Sequence, residues 1–195
     1  MLNHIRPAVV MIALFTGVLG VAYPFAVTGV AQTVFHDQAD GSLVRDKAGQ
    51  VVGSALVGQT FAEPVYLHPR PSAAGEGYDA AASSGSNLGP LNPDLIARVK
   101  TDADALRAET GAAVIPADAV TTSASGLDPH ISPAYAELQI ARIASARGVA
   151  EAQVREVIGQ HVEGRTFGVL GQPRVNVLLT NMALDARFPR PAAEG

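Results

Sequence analysis

The sequence contains no cysteine and no tryptophan among its 195 residues. Without cysteine, the chain has no thiolate zinc site, disulfide, iron–sulfur cluster or cysteine nucleophile. Aromatic residues make up only 5% of the sequence, which argues against a ligand site built on stacked rings. A net charge of −4 at neutral pH argues against nucleic-acid binding, because clustered Lys and Arg are needed to neutralise phosphate groups.

Charged residues are also scarce, at 16%, and the mean hydropathy is positive, at +0.19. The cause is one apolar block, residues 8–35, which carries no formal charge. Its length exceeds the roughly 20 residues that span a bilayer, whereas the apolar region of a signal peptide has about 7–15. Gly29, Val30 and Ala31 would form an acceptable cleavage site. The length nevertheless favours an uncleaved transmembrane helix over a signal peptide.

The flanking charges predict the orientation of this helix. Arg6 precedes the apolar block, whereas Asp37 and Asp40 follow it. The positive-inside rule then places the N-terminus in the cytoplasm and the bulk of the chain outside. Inside the helix, Pro24 predicts a kink.

We therefore expect three regions: a short cytoplasmic N-terminus (1–6), a transmembrane helix (7–36) and a soluble extracytoplasmic domain (37–195). The last region holds 13 of the 14 basic residues and all 18 acidic ones, which is a net charge of −5. It is long enough to bury a hydrophobic core. No internal repeat and no second apolar run of membrane length occur in the sequence.

The soluble region mixes strand and helix patterns, which predicts an α+β fold. Residues 51–57 and the short segment 64–67 have strand character, and 68–92 and 112–131 have the composition of loops. Three helices are predicted from caps and apolar periodicity. They run from the cap Asn92 to Gly111, from the cap Ser132 to Gly148, and over residues 154–161. The apolar faces predicted for them are, in the same order, Leu95, Ile96, Val99, Ala103 and Leu106; Ala136, Ile140, Ile143 and Ala144; and Val154, Val157, Ile158 and His161. Residues 175–184 fit either a buried strand or a helix capped by Asn176.

Two parts of the sequence match catalytic or binding motifs in part. Ser125 and His130 would be the nucleophile and base of a serine hydrolase, but the Gly two residues before the serine in such motifs is replaced by Ser123. Residues 83–90, rich in serine and glycine, fit either an anion cradle of backbone N–H groups or a flexible polar loop. The five histidines are scattered without metal-ligand spacing, so we expect no metal site.

Nine blocks of the sequence, in a fixed order, cover nearly the whole chain. They are Arg6-Pro7-Ala8, Tyr23-Pro24, and the blocks over residues 53–59, 66–73, 84–90, 123–133, 139–142, 171–177 and 184–185. By these blocks the chain resembles the C subunit of the bacterial Kdp-type potassium-transporting P-type ATPase, and their order and spacing together make the resemblance specific.

This resemblance implies an accessory, non-catalytic subunit in the bacterial inner membrane. In the family, a separate P-type subunit binds ATP and carries the phosphorylated aspartate, a channel-like subunit translocates potassium, and a small single-span subunit completes the complex. The C subunit is described as a chaperone-like partner that assists assembly and raises the ATP affinity of the P-type subunit. The sequence lacks the D-K-T-G phosphorylation signature, as that role implies. No firmly bound cofactor is expected, since ATP and potassium are handled by the partner subunits.

The resemblance also suggests site residues, of which none is catalytic. Candidates for contact with nucleotide or with a partner subunit are Ser84, Gly85, Ser86, Asn87 and Gln139. For Gln139 we favour a helix-surface or helix-packing role, because an extracytoplasmic domain does not meet cytoplasmic ATP. Candidates for contact with partner subunits lie in the helix and in a turn: Gly17, Gly20, Tyr23, Pro24, Ser123, Ser125, Gly126, Leu127 and Asp128. Two other functions stay open: an independent membrane-anchored serine hydrolase and an anchored extracytoplasmic binding module.

Overall fold

The computed structural model describes residues 4–189. The chain divides into two compact units, one ending at Ser54 and the other beginning at Ala55. Each mixes helix and strand, which confirms the predicted α+β class.

The first unit contains the apolar helix, which runs from Ile5 to Val34 and is long and apolar enough to cross a membrane. It comprises α1 (Ile5–Phe15), a π-helical segment (Thr16–Ala22) and α2 (Tyr23–Val34). The π-helical segment lies just before Pro24, which cannot donate a hydrogen bond to the preceding turn and whose ring crowds the carbonyl four residues back. The proline therefore changes the hydrogen bonding of the helix without ending it.

A short helix and a hairpin complete this unit. Helix α3 (His36–Ala39) leads to the antiparallel strands β1 (Leu43–Arg45) and β2 (Val51–Ser54). The carboxylate of Asp46 accepts hydrogen bonds from the N–H groups of Ala48 and Gln50, which shapes the turn. The strand predicted over residues 51–57 is present as β2, which ends at Ser54, three residues before the predicted end.

In the second unit, the predicted helix boundaries of α4 (Pro93–Thr110) are confirmed. The side chain of Asn92 accepts from the N–H groups of Asp94 and Leu95, Pro93 occupies the first turn, and Gly111 at φ +68° ends the helix. Of the predicted apolar face, Ala103 is buried, whereas Ile96 is 54% exposed, so that part of the face was predicted wrongly.

The helix predicted from Ser132 to Gly148 is two helices, α5 (Pro133–Leu138) and α6 (Ile140–Arg147), which meet at Gln139. Both outer boundaries are confirmed: Ser132 Oγ accepts from the N–H of Tyr135, and Gly148 has φ +64°. The third predicted helix is confirmed as α7 (Glu151–Gln160) and begins three residues before the predicted start.

The ambiguous segment 175–184 contains both alternatives. Strand β5 (Arg174–Asn176) continues directly into α8 (Val177–Arg187), whose first turn is capped by Asn176. Strand β5 lies between β3 (His130–Ile131) and β4 (Val162–Glu163) in an antiparallel sheet, where Val175 is opposite both Ile131 and Val162.

The core of this unit lies where α5 to α8 meet the sheet. The predicted inward faces of α6 and α7 are confirmed. Side chains that are at most 2% exposed form its centre: Leu67, Ile131, Ala136, Ile140, Ile143, Val154, Val157, Val175 and Leu184.

Candidate functional site

Two buried side-chain amides hold consecutive residues of the segment 64–68. Asn181 Oδ1 accepts from Leu67 N–H at 2.8 Å, and Asn181 Nδ2 donates to the Leu67 carbonyl at 3.0 Å. Gln139 does the same to His68, at 2.7 and 3.1 Å. The strand predicted over residues 64–67 was therefore wrong. Residues 64–66 form a turn in which Tyr66 N–H donates to the Glu63 carbonyl at 3.1 Å, and a helix side chain binds both backbone groups of Leu67.

Two arginines bind the remaining carbonyls of the same segment. Arg142 Nη1 donates to the carbonyls of Pro64 and Tyr66 at 2.6 and 2.9 Å, and Arg147 Nε donates to that of Val65 at 2.7 Å. Arg147 also pairs with Asp185 at 2.9 Å. Burial lowers the pKa of Arg142, although the nearby Glu109 carboxylate opposes this change. The segment is thus held to α6 and α8 by charged donors as well as by amides.

The segments that carry most of the resemblance meet in one place, which we call the loop junction (residues 58, 70–78, 83–85 and 121–130). Ser72 Oγ donates to the Gly126 carbonyl at 2.7 Å, and Gly58 N–H donates to the Leu127 carbonyl at 2.8 Å. The Ser125 carbonyl accepts from Ser83 Oγ at 2.9 Å and from Ser84 N–H at 3.0 Å. The predicted contact residues at 84–85 and 123–128 therefore lie against each other.

Two glycines allow this close packing. Gly126 has φ +68°, and a Cβ there would lie 2.6 Å from the Ser84 carbonyl oxygen and 2.7 Å from the Ala74 nitrogen. A Cβ at Gly58 would lie 2.7 Å from the Asp128 carbonyl oxygen. No side chain fits at either position without moving backbone, so the loop junction depends on glycine there.

A charged group closes one edge of the loop junction. Asp128 pairs with Arg70 at 3.1 Å and accepts from the N–H of His130 at 3.0 Å, with His130 Nδ1 3.4 Å away. Burial acts to raise the pKa of Asp128, but hydrogen bonds from His130 and the charge of Arg70 outweigh it and hold this pKa below its usual value. Tyr78 donates to the Arg70 carbonyl at 2.7 Å, and burial raises the pKa of Tyr78 well above its usual value.

An open cleft of about 550 Å³ lies beside this charged group. It has both acidic and basic side chains, so its charge does not select one class of ligand. Its lining is Arg70, Ala117, Asp118, Thr121, Asp128, His130, Ile131, Ser132, Gln172, Pro173 and Arg174. Within residues 4–189, no group of three or more His, Cys, Asp or Glu side chains is placed to hold a metal ion.

The serine hydrolase candidates are close in sequence but make separate contacts. Ser125 Oγ accepts from Leu127 N–H at 3.1 Å and lies 3.4 Å from Ser123 Oγ. The His130 ring faces Asp128. Among the described residues, no hydrogen bond joins Ser125 to His130, so the geometry lacks the link between nucleophile and base that such an enzyme needs.

The candidate nucleotide contacts are not brought together as one set of free groups. Gln139 is 4% exposed, and its amide oxygen also accepts from Arg142 Nη2 at 2.6 Å, so this side chain is buried and not on the helix surface. Ser84 and Gly85 pack on residues 124–126, and Asn87 has φ +52°. A nucleotide contact by residues 84–87 or Gln139 stays a prediction.

The candidate partner contacts in the apolar helix face outward. Gly17, Gly20, Tyr23 and Pro24 are all exposed, with Tyr23 at 62%. Among residues 4–189, and apart from the backbone of the helix itself, a Cβ at Gly17 would have no atom within 4 Å, and a Cβ at Gly20 would lie 3.8 Å from the methyl group of Thr16. This part of the helix therefore has space for another helix to approach closely.

Sequence reasoning missed Asn181, Arg147 and Asp185 as structural residues. One signal was available, since Asn181 is a polar residue within the apolar run 177–184. A polar residue at a buried helix position requires partners in the protein. The residues around Asn181 do not indicate which backbone groups it binds, because its partner Leu67 is 114 positions away.

The chain has an N-terminal apolar helix that is long enough to span a membrane. A mixed helix-and-sheet unit with a close-packed loop junction follows it in the sequence. These are the features of a small membrane-associated protein. The family model described as "K+-transporting ATPase, c chain" (KdpC) matches residues 5–186. The chain therefore belongs to the KdpC family.

Relatives named "Potassium-transporting ATPase KdpC subunit" match the chain over nearly its full length. The one from Caulobacter sp. (strain K31) is 65% identical over 195 residues, covering 100% of both chains. The one from Caulobacter vibrioides (strain NA1000 / CB15N) is 64% identical, covering 100% of this chain and 98% of the relative. The one from Koribacter versatilis (strain Ellin345) is 49% identical, covering 98% of each.

Proposed function

We propose that this chain is the accessory, non-catalytic subunit of an ATP-driven potassium uptake complex and that it assists assembly of that complex. The observation that carries the proposal is the loop junction. Sequence blocks by which the chain resembles the family pack on one another through hydrogen bonds of backbone and serine hydroxyl groups and through glycines that leave no room for a Cβ. Such a junction is suited to present a fixed surface to other proteins.

The proposed partners are the P-type subunit, the channel-like potassium-translocating subunit and the small single-span subunit of the same complex. The apolar helix would cross the inner membrane once, in contact with lipid and with partner helices at Gly17, Gly20, Tyr23 and Pro24. Residues 123–128 would contact partners outside the membrane. ATP and potassium would bind to the partners and not to this chain.

We further propose that any rise in the ATP affinity of the P-type subunit acts through assembly. With the N-terminus in the cytoplasm, the second unit is extracytoplasmic, and ATP is on the other side of the membrane. A reporter fused after Gly195 tests this topology, and we expect activity only for a reporter that works outside the cytoplasm. Activity only for a cytoplasmic reporter would overturn the topology and make direct nucleotide contact physically possible.

Assembly is tested by co-expressing the tagged chain with the three partner subunits and purifying the complex in detergent. We expect Asp128→Arg, which reverses the charge beside Arg70, to reduce recovery of the partners. Asp104→Arg, on the exposed face of α4, is the matched control and should leave recovery unchanged. Full recovery of an active complex without this chain would contradict the assembly role. Esterase activity of the isolated chain that Ser125→Ala abolishes would contradict the non-catalytic role.

A further inference from the structure

The connection between β4 and β5 carries exposed apolar side chains at its tip, which we call the hairpin tip (residues 164–173). Phe167 is 90% exposed, Val169 71% and Leu170 59%. None of these three residues has a role in the loop junction or in the core. Neighbouring apolar side chains that remain this exposed are typical of sites that bind a protein or a membrane.

The hairpin tip is held in one conformation by its own hydrogen bonds. Thr166 and Leu170 exchange two backbone hydrogen bonds, both of 2.9 Å, and Gly168 N–H donates to the Arg165 carbonyl at 2.9 Å. Arg165 Nη2 donates to Gln172 Oε1 at 3.0 Å. Phe167 has φ +53°, a conformation that costs energy for any residue with a Cβ. The strained backbone conformation thus occurs at Phe167, whose aromatic side chain is also highly exposed.

The charge of the hairpin tip differs from that of the rest of the molecule. Arg165 is the only charged residue between Gly164 and Pro173, whereas the chain as a whole has a net charge of −4. The next arginine, Arg174, is paired with Glu163 at 2.8 Å. The tip is therefore apolar with one cation, a composition that suits an anionic lipid surface, where Arg165 would bind a phosphate group and the apolar side chains would enter the layer beneath it.

Size shows that the hairpin tip does not form a stable protein interface by itself. Such an interface takes roughly 20–30 residues from each side, whereas the tip offers three apolar side chains. A bilayer requires no complementary pocket. The N-terminal helix, which is long and apolar enough to cross a membrane, would hold every copy of the chain at a bilayer, so even weak insertion would take place at high local concentration.

We propose that the hairpin tip inserts Phe167, Val169 and Leu170 into the headgroup region of an anionic bilayer, with Arg165 on lipid phosphate. This contact does not depend on the assembly role proposed above. It would fix the second unit against the membrane whether or not the partner subunits are present.

The absence of tryptophan makes a direct test possible, since Phe167→Trp gives the full-length chain a single fluorescent reporter. The chain is reconstituted without partners into vesicles of equal parts phosphatidylethanolamine and phosphatidylglycerol, with or without acyl-chain bromination. We expect a blue-shifted emission that loses at least half its intensity in brominated vesicles. Val114→Trp is the matched control, because Val114 is 81% exposed and lies outside the hairpin tip, and its emission should stay unquenched.

Adding Arg165→Glu to the Phe167→Trp chain should reduce the quenching, and unchanged quenching would overturn the role of anionic lipid. Emission from position 167 that matches the Val114→Trp control would overturn insertion itself. Shielding of position 167 that occurs only after the partner subunits are added, without quenching by brominated lipid, would identify a protein interface and also overturn the proposal. Because no assembly is measured in the vesicles, failure here leaves the proposed function intact.

Discussion

The side-chain amide of Asn181 pairs with both backbone groups of Leu67, although the two residues are 114 positions apart. Asn181 is 1% exposed and Leu67 0%. The pairing has the pattern that a neighbouring strand would make, yet it comes from one side chain of α8. A helix side chain therefore stabilises a loop segment that belongs to no sheet.

Asn181→Leu should remove this pairing and leave the buried N–H and carbonyl of Leu67 without partners. We expect a loss of about 2–4 kcal/mol in the free energy of unfolding, since each unsatisfied buried group costs about 1–3 kcal/mol. Denaturant unfolding of the detergent-solubilised chain, followed by circular dichroism, measures the loss. Gln160→Leu makes a comparable change at an exposed position of α7 and should cost less than about 0.5 kcal/mol. Equal losses in the two variants would contradict the importance of the Asn181 contact.

Gln139→Ala separates a packing role from a nucleotide role. We expect it to lower the stability of the chain by about 1–3 kcal/mol, because the backbone of His68 loses both partners. In complexes that still assemble, the KM for ATP should be unchanged, and Ser86→Ala should leave both stability and this KM unchanged. The measurement is ATPase activity of the purified complex as a function of ATP concentration. A raised KM in the Ser86→Ala complex would instead support nucleotide contact by residues 84–87.

Three glycine-to-alanine variants distinguish steric crowding from backbone strain. Gly171 has φ +78° but open space around it, so Gly171→Ala should cost only about 1–2 kcal/mol of strain. In Gly58→Ala the new Cβ would clash with backbone, but the residue has no positive φ. In Gly126→Ala the clash and the positive φ occur together. We expect Gly126→Ala to cost the most in thermal unfolding and to reduce recovery of the assembled complex. If Gly171→Ala lowered the stability as much as Gly126→Ala, close packing at the loop junction would not explain the stability loss of Gly126→Ala.

Asp128 should contribute to the acid sensitivity of the fold. Its folded pKa lies below that of the unfolded chain, so its stabilisation is full above the unfolded value of about 3.9 and is lost as the pH falls through the folded value. Asp128→Asn should therefore be less stable than the wild type at neutral pH, and the difference should shrink as the pH is lowered below about 4. Unfolding measured across this range tests the prediction.

Arg70→Met provides the complementary variant, because it keeps the carboxylate of Asp128 and removes the cation beside it. We expect a weaker pH dependence than in the wild type, since the charge of Arg70 helps to lower the pKa of Asp128. Identical acid unfolding of the wild type and both variants would show that this charged group does not control stability at low pH.

Much of the local structure was predictable because its causes lie within a few residues. The apolar run of residues 8–35 predicted the N-terminal helix by length alone. Asn92, Pro93 and Gly111 marked both ends of α4, and Ser132 and Gly148 marked the ends of the α5–α6 pair. Caps and glycine conformations act on adjacent backbone groups, so a sequence pattern contains the information needed.

The errors have a common physical origin in distant partners. Residues 64–67 have the composition of a strand, but their backbone groups bind side chains of α6 and α8. The predicted helix over residues 133–147 is divided at Gln139, the residue whose amide holds His68. Ile96 fits the apolar face of α4 by spacing, yet the fold leaves it exposed.

The sequence by itself determined which region is apolar and which is charged, the ends of α4, the outer ends of the α5–α6 pair, and the family to which the chain belongs. These features can be predicted from the sequence because hydropathy and helix capping depend on neighbouring residues, and because the order of sequence blocks can be seen directly in the chain. Only the tertiary structure decided that residues 84–85 lie against residues 124–126, that Asp128 pairs with Arg70, and that Phe167 faces outward. Those relationships join residues far apart in the chain, and they exist only when the core has brought the loops together.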